Sequence, residues 1–435
     1  MTSSQKNDDG SKGRDPFLDA LRAGALLVVV LGHWVATLPL TEDNRVVGTE
    51  HILEMWGPAA FFTWLVQVVP LFVFVSAAVS SGGVERRLNA GHPHLHWWAD
   101  RALGLARPTV TYLVVLVAVT LTALYTGARL LEPLNHSLTV HLWFLLTLLG
   151  VQALLGLSHR ADRRWGLKAV VGLIVIAAAI DLLRAWPTSP GALLQLGSLV
   201  TEQHDLFGWL NAIVIWLVPQ QLGIAWWRGR FGGRRAGLGF LLLGVAWLGG
   251  AVALGYPVGM VNGEIGGDTN LLPPTLALLG VIWLQIGVVL TFEAPVRRFL
   301  ERRRTERLMA MFGALGLQLY LWHKLAELPA IWLGERLGIG MDAAMPGEAG
   351  FWLARLEWIA LCGLAVTPVI IAVVFFERRR KKEVAHAVDT KAILAGGAAL
   401  IAGLGISLAL GAFPGAIFGL VGVAAASYLL RARTT

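Results

Sequence analysis

The sequence predicts an all-α protein that crosses a membrane many times. Hydrophobic residues make up 56% of the chain and charged residues only 15%, whereas a soluble domain carries about 25% charge. A membrane helix needs about 20 apolar residues to span a hydrocarbon core of about 30 Å, and twelve such windows recur along the 435 residues. The windows are long and continuous, which favours helices over the short alternating segments of a barrel.

The windows divide into ten core helices and two further helices at the C-terminal end. They lie near residues 17–38, 59–80, 107–126, 139–157, 167–185, 207–227, 236–256, 271–292, 309–328, 355–376, 391–411 and 414–430. No Asp, Glu, His, Lys or Arg occurs between Ile393 and Leu430, so we expect the last two helices to serve packing or assembly. The predicted units are a disordered cytoplasmic N-terminus (1–16), a ten-helix membrane domain (17–380) and two additional helices with a short cytoplasmic tail (381–435). The longest outer connections, at 39–58, 186–206, 257–270 and 329–354, are each too short to build a core of their own.

The distribution of positive charge predicts which side of the membrane each connection occupies. Of the 36 Lys and Arg residues, 30 fall on segments that alternate regularly with the remaining six. Because positive residues collect in cytoplasmic loops, both termini are predicted to be cytoplasmic in a multi-pass protein of the cell (plasma) membrane, in contact with membrane lipids. The net charge of +8 is then a topological signal, and we expect no nucleic-acid partner.

Arg22 and His33 lie on one face of the first predicted helix. They are eleven residues apart, which is about three turns and about 16 Å along the helix axis. Asp19 precedes Arg22 by one turn and can pair with it. An arginine inside a membrane helix costs about 2.5–3.5 kcal/mol, so it favours the protein interior or a wet cavity. The alternative is an arginine that reaches the interface and a histidine that is hydrogen-bonded in the core.

Six short motifs resemble, in order, those of a known family of membrane enzymes. The first is Asp-x-x-Arg followed by Arg-x10-His, and the second is the stretch Pro70–Ser76. The others are the basic segment Trp97–Pro108, His141-Leu142-Trp143-Phe144-Leu145, Tyr320-Leu321-Trp322-His323 and Phe376-Glu377-Arg378. Over about residues 15 to 380 the chain is similar to the membrane acyltransferase-3 family. It differs at Ala77, where the family usually has Gly, and at Gly104, a position that is often basic.

The resemblance implies an enzyme, a membrane-bound O-acyltransferase of a bacterial cell envelope. It would transfer an acyl group, most simply acetyl, from a cytoplasmic acyl-CoA to a hydroxyl of an extracytoplasmic glycan, glycolipid or lipid. Acetyl-CoA or another acyl-CoA would be a co-substrate, with no tightly bound cofactor and no metal. The expected catalytic residues are His33 and His323, because an imidazole with a pKa of about 6.5 can take the hydroxyl proton. The expected donor-binding residues are Arg22, Arg101 and Arg107, and the expected supporting residues are Asp19, Ser76, His141, Trp143, Tyr320 and Trp322.

Other interpretations stay open at this point. Twelve spans with buried polar residues also describe a secondary transporter or a non-catalytic exporter of a small molecule, although no internal repeat is evident. Gln220 and Gln221 either line a cavity or form a hydrogen bond between helices. The sequence leaves undecided whether transfer is direct or uses an acyl-enzyme, and whether the chain associates with further copies of itself as a homo-oligomer.

Overall fold

The computed structural model describes residues 15–43, 45–128, 131–185, 207–261, 269–341, 346–379 and 389–431, together with Leu196 and Val200. Residues 1–14 of the predicted disordered segment and residues 380–388 at the predicted unit boundary lie outside the described residues. The elements are α1 (Pro16–Ala36), β1 (Thr37–Glu42), β2 (Arg45–His51), α2 (Ile52–Met55), α3 (Ala59–Val66), α4 (Val69–Asn89), α5 (His94–Thr126), α6 (Leu131–Leu134), α7 (Ser137–Val140), α8 (Leu142–Ala153), α9 (Leu155–Trp165), α10 (Lys168–Arg184), α11 (Asn211–Trp227), α12 (Gly233–Ala253), α13 (Leu278–Leu300), α14 (Arg303–Trp322), α15 (Glu327–Leu337), α16 (Phe351–Arg379), α17 (Thr390–Leu410) and α18 (Ala416–Leu429).

The predicted all-α, multi-pass fold is confirmed, with a different number of candidate spans. Within the described residues, nine helices are long and apolar enough to cross a membrane, or ten if α9 and α10, bent by 116°, form one span. The twelve predicted windows exceed the nine candidate spans of the described residues by three, and each difference has its own reason. The charged start of α14 keeps it out of the nine, the fifth window falls on the bent pair, and the last two windows form one 40-residue stretch, Thr390–Leu429.

A two-stranded hairpin is the one β-sheet in the described part of the chain. The strands β1 and β2 pair antiparallel, with Thr37 opposite His51, and β1 begins directly after the last turn of α1. Four apolar residues at its base form a small cluster separate from the main core: Leu38, Ile52, Ala59 and Phe351. Of these four residues only Ile52 belongs to the 39–58 connection, and Phe351 comes from α16, so the cluster agrees with the expectation that this connection builds no core of its own.

Polar side chains join the helices at several depths of the core. Gln220 donates to the Ser158 hydroxyl at 3.0 Å, and Gln221 donates to the Ser158 carbonyl at 3.2 Å. The two glutamines of α11 thus form hydrogen bonds to α9, as the interpretation of a contact between helices expects. Ser76 of α4 similarly accepts a hydrogen bond from Gln152 of α8 at 2.8 Å. Such contacts hold membrane helices together because lipid offers no polar partner.

A close approach of α4 and α11 depends on a glycine. A Cβ added at Gly223 would collide with the carbonyl oxygen of Phe74 and would lie 3.0 Å from the Cβ of Ala77. Ala77 stands at the position where the family that this chain resembles usually has a glycine. The small residue needed at this crossing is therefore supplied by α11, opposite Ala77.

Replacing Gly223 with alanine is expected to destabilise the protein by about 1–3 kcal/mol, because the added methyl group overpacks a close helix crossing. The matched control is Gly239→Ala on α12, where an added Cβ meets nothing within 4 Å. Thermal unfolding of both variants in detergent measures the difference. A Gly223→Ala variant that unfolds at the wild-type temperature would contradict this packing.

The C-terminal helices α17 and α18 fold back on each other and lie against α5 and α8. Gly403 and Gly419 meet at the crossing, where an added Cβ would contact the facing backbone. The turn between the two helices is held by Asn135, whose side chain accepts from Phe413 N at 2.8 Å and whose carbonyl accepts from Ala412 N at 2.8 Å. These contacts fit a packing role, and the division of the chain into three units stays a prediction.

Candidate active site

The helix α1 carries His33 in its last turn. Asp15 caps the first turn by accepting from Phe17 N at 2.9 Å, and Pro16 occupies a position where a missing N–H costs nothing. Thr37 ends the helix by donating to the carbonyl of His33 from its backbone N–H and from its hydroxyl, the latter at 3.0 Å. The imidazole of His33 is half-buried. It is therefore fixed by the helix end while part of its surface stays accessible.

A second histidine, His323, lies directly against His33. The Nδ1 atom of His33 and the Nε2 atom of His323 are 2.7 Å apart, and the two rings stack with their centroids 5.0 Å apart. His323 comes directly after the last residue of α14 and is fully buried. The structure thus brings together two residues that are 290 positions apart in the chain.

The hydrogen bonds of this pair determine where its protons lie. The Nδ1 atom of His323 is 2.6 Å from the carbonyl oxygen of Tyr320. Because a carbonyl only accepts, Nδ1 of His323 carries the proton, and in a neutral ring Nε2 is then an acceptor. The Nδ1 atom of His33 must therefore donate to it. The lone pair of His33 consequently lies on Nε2, in a ring that its neighbour orients, where it can take a proton.

His141 completes a cluster of three imidazoles. Its ring centroid is 5.3 Å from that of His323 and 5.5 Å from that of Tyr320. The Tyr320 hydroxyl donates to the His141 carbonyl, and Trp34 donates to the carbonyl of His323 at 3.1 Å. Neither ring nitrogen of His141 has a hydrogen-bond partner of acceptable geometry within the described residues, although the backbone of Leu321 lies close.

A row of aromatic rings connects Arg22 with this cluster. The guanidinium of Arg22 lies 5.9 Å from the ring centroid of Phe72, which is 4.9 Å from that of Phe144. Phe144 is in turn 5.3 Å from Tyr320, the residue that contacts both His141 and His323. The same face of α1 therefore presents Arg22 at one end of the row and His33 at the other.

Arg101 and Trp143 each pack against a tryptophan ring. Arg101 is exposed, with its guanidinium 5.3 Å from the Trp97 ring centroid. Trp143 packs against Trp216, with the ring centroids 6.2 Å apart. The predicted roles of both residues stay predictions.

The four remaining predicted residues lie on four different helices. Trp322 of α14 donates to Gln318 at 3.3 Å and meets Tyr112 edge to face. Ser76 of α4 is buried in its bond to Gln152, Asp19 of α1 is buried, and Arg107 of α5 is half-buried. Their predicted roles also stay predictions.

The sequence reasoning missed four residues near the three imidazoles: Thr37, Lys324, Glu327 and Arg355. Lys324 donates to both carboxylate oxygens of Glu327, at 2.9 and 3.0 Å, and to the Thr37 hydroxyl at 3.2 Å. Arg355 donates to the Thr37 carbonyl at 2.7 Å. A signal for Lys324 and Arg355 exists in the sequence, since both are charged residues in apolar surroundings. In the prediction of topology they were counted only as positive charges outside the cytoplasmic segments.

His51 lies opposite Thr37 in the hairpin. Its Nδ1 atom accepts from Leu53 N at 3.3 Å. Burial, aided by the positive charge of Lys324, lowers the pKa of His51 to about 4. His51 is therefore neutral at pH 7.

The fold and the site define a class of protein: a helical membrane protein with many spans that holds an oriented imidazole pair in its interior. A family model described as an acyltransferase domain matches residues 15–377. The chain belongs to this acyltransferase family, the membrane acyltransferase-3 family that its motifs indicate. No curated protein and no solved structure matches the chain.

Proposed function

We propose that the protein transfers an acyl group, most simply acetyl, from a cytoplasmic acyl-CoA to a hydroxyl of an extracytoplasmic glycan, glycolipid or lipid. Membership of the family supports an acyltransferase in general. The observation that carries the finer proposal is the pair His33–His323, whose hydrogen bonds leave Nε2 of His33 as a base.

In the proposed step the acceptor hydroxyl attacks the thioester carbonyl while Nε2 of His33 takes its proton. The tetrahedral intermediate then collapses, the carbon–sulfur bond breaks, and the CoA thiolate receives the proton from the imidazolium. During the step His323 accepts the hydrogen bond from Nδ1 of His33 and keeps the ring oriented. General-base catalysis of this kind contributes about 10²–10⁴-fold in rate.

The donor is proposed to enter from the end of α1 that carries Arg22. Arginine suits phosphate because its planar fork of donors matches phosphate oxygens. Arg101 and Arg107 lie on the first half of α5, and Arg22 lies beside the row of aromatic rings. The narrow pantetheine arm would extend along that row towards His33, so the CoA headgroup would not cross the membrane. Both termini are proposed to be cytoplasmic, in a cell membrane.

Replacing Arg101 with alanine is expected to raise KM for acetyl-CoA about 10–100-fold, because a charge-assisted contact with phosphate is worth about 1.5–3 kcal/mol. The KM for acetyl-pantetheine, which lacks the nucleotide phosphates, should stay unchanged. Arg164→Ala is the matched control, since Arg164 is also exposed and lies 5.6 Å from the ring centroid of Trp165. Steady-state kinetics with both donors measure the effect, and an equal change for both donors would contradict phosphate binding.

The proposal as a whole is tested with purified protein, radiolabelled acetyl-CoA and an envelope extract as the source of acceptor. Labelled product together with stoichiometric release of CoA would establish the reaction. If no short-chain acyl-CoA binds or turns over, the donor assignment fails, and uptake of small solutes by reconstituted vesicles then tests the transporter interpretation.

A further inference from the structure

A buried ion pair adjoins the three imidazoles. Lys324 is 3% exposed and Glu327 is 1% exposed, and the lysine ammonium donates to both oxygens of the carboxylate. The two residues are three positions apart where the chain passes from α14 into α15. A charge so deeply buried is costly unless it is paired, so this pair calls for a physical reason.

Thr37 connects the pair to the end of α1. Its hydroxyl accepts from Lys324 at 3.2 Å and lies 3.0 Å from the carbonyl of His33. The same hydroxyl is 3.4 Å from the Glu327 carboxylate. The backbone that carries His33 is therefore tied to the pair through one side chain.

The charge of Lys324 reaches the imidazoles as well. Lys324 comes directly after His323 in the chain, and its positive charge acts electrostatically on His33, His141 and His323. The proposed step places a positive charge on His33, which an uncompensated ammonium nearby would oppose in a medium of low dielectric constant. Arg355, 2% exposed and bonded to the Thr37 carbonyl, adds a second cation on this side of the cluster.

We infer that Lys324, Glu327 and Thr37 form a positioning cluster for the proposed acyl transfer, an inference that rests on that function. Thr37 holds the end of α1 that carries His33, and Lys324 donates a hydrogen bond to the Thr37 hydroxyl. Glu327 neutralises Lys324, so the imidazole can become positively charged during transfer. None of the three touches the reacting atoms, and all act through His33.

The experiment compares three variants of the full chain in the acetyl-transfer assay. Glu327→Gln keeps the shape of the side chain but leaves Lys324 without its carboxylate, and kcat is expected to fall about 10–100-fold with little change in KM for the donor. Adding Lys324→Met restores electrical neutrality, and kcat of the double variant is expected to recover to within about threefold of wild type.

The matched control is Asp181→Asn, which removes the carboxylate of another buried pair with the same spacing. Asp181 lies 3.6 Å from Arg184, and both side chains are fully buried. Among the described residues, its carboxylate also accepts hydrogen bonds from Asn211, Tyr256 and Leu276, and none of these partners is one of the three imidazoles. Folded Asp181→Asn protein should therefore keep the wild-type kcat.

The outcomes separate the inference from the function on which it rests. Without turnover by wild-type protein the proposed function fails. With wild-type turnover, an unchanged kcat in Glu327→Gln overturns the inference, as does an equal loss in Asp181→Asn. If Glu327→Gln does not fold, the neutral double variant decides, because a loss of about tenfold or more in that variant shows that neutrality alone does not sustain the site.

Discussion

Replacing His33 with alanine is expected to lower kcat for acyl transfer about 10²–10⁴-fold, because the acceptor hydroxyl then loses the base that takes its proton. The KM and the equilibrium affinity for acetyl-CoA should change little, since the donor phosphates are proposed to bind about three turns away along α1. A fall in kcat without loss of donor binding is the signature of an interaction made mainly in the transition state.

His136→Ala provides the matched control for this effect. His136 is an exposed histidine that precedes α7 and caps its first turn only through its backbone. The variant removes the same chemical group from a surface position and is expected to retain the wild-type kcat. Steady-state kinetics and donor titrations on both variants provide the comparison, and the assignment of His33 fails if its loss weakens donor binding while kcat is preserved.

The second large effect is expected from His323→Ala, which removes the acceptor that orients His33. The ring of His33 would lose the 2.7 Å hydrogen bond at Nδ1 and its stacked neighbour. Loss of ring orientation should lower kcat about 10–100-fold with KM for the donor nearly unchanged.

The double variant, His33→Ala with His323→Ala, tests whether the two residues act as one unit. Groups that act together are strongly non-additive, so the double variant should be no slower than His33→Ala alone. A double variant that loses the product of the two single effects would show that His323 acts independently of His33. His323 would then be assigned a separate role, such as contact with the acceptor.

The sequence predicted the parts of the site that depend on local periodicity. The spacing of Arg22 and His33 placed both on one face of α1, and the ordered motifs indicated which other helices contribute. The family assignment and the all-α membrane fold were reached in the same way and are confirmed.

The sequence did not predict how the helices are arranged relative to one another at the site. His33, His141 and His323 meet because three helix ends converge, and no local pattern reports which nitrogen bonds to which. The proton positions require the carbonyl of Tyr320, whose direction depends on the backbone. Lys324 and Glu327 are three residues apart, a spacing that allows their side chains to pair. Only the structure shows that Thr37 joins them to α1.

The number of spans also depends on three-dimensional information. Hydropathy windows register apolar length but not direction, so the fifth window did not reveal the 116° bend between α9 and α10. The hairpin after α1 escaped prediction because its strands are short and its cluster takes Phe351 from a distant helix.

The role of His33 is tested by a single-turnover experiment with radiolabelled acetyl-CoA bound to the protein and acceptor added afterwards. The quenched reaction is divided into donor, protein and acceptor fractions, for wild type beside His33→Ala. We expect the label to pass from donor to acceptor in wild type without accumulating on the protein, and to remain on the donor in the variant. Label on wild-type protein that is absent from His33→Ala would show an acyl-enzyme instead of general-base catalysis, and equal transfer by both proteins would contradict any role of His33 in the reaction.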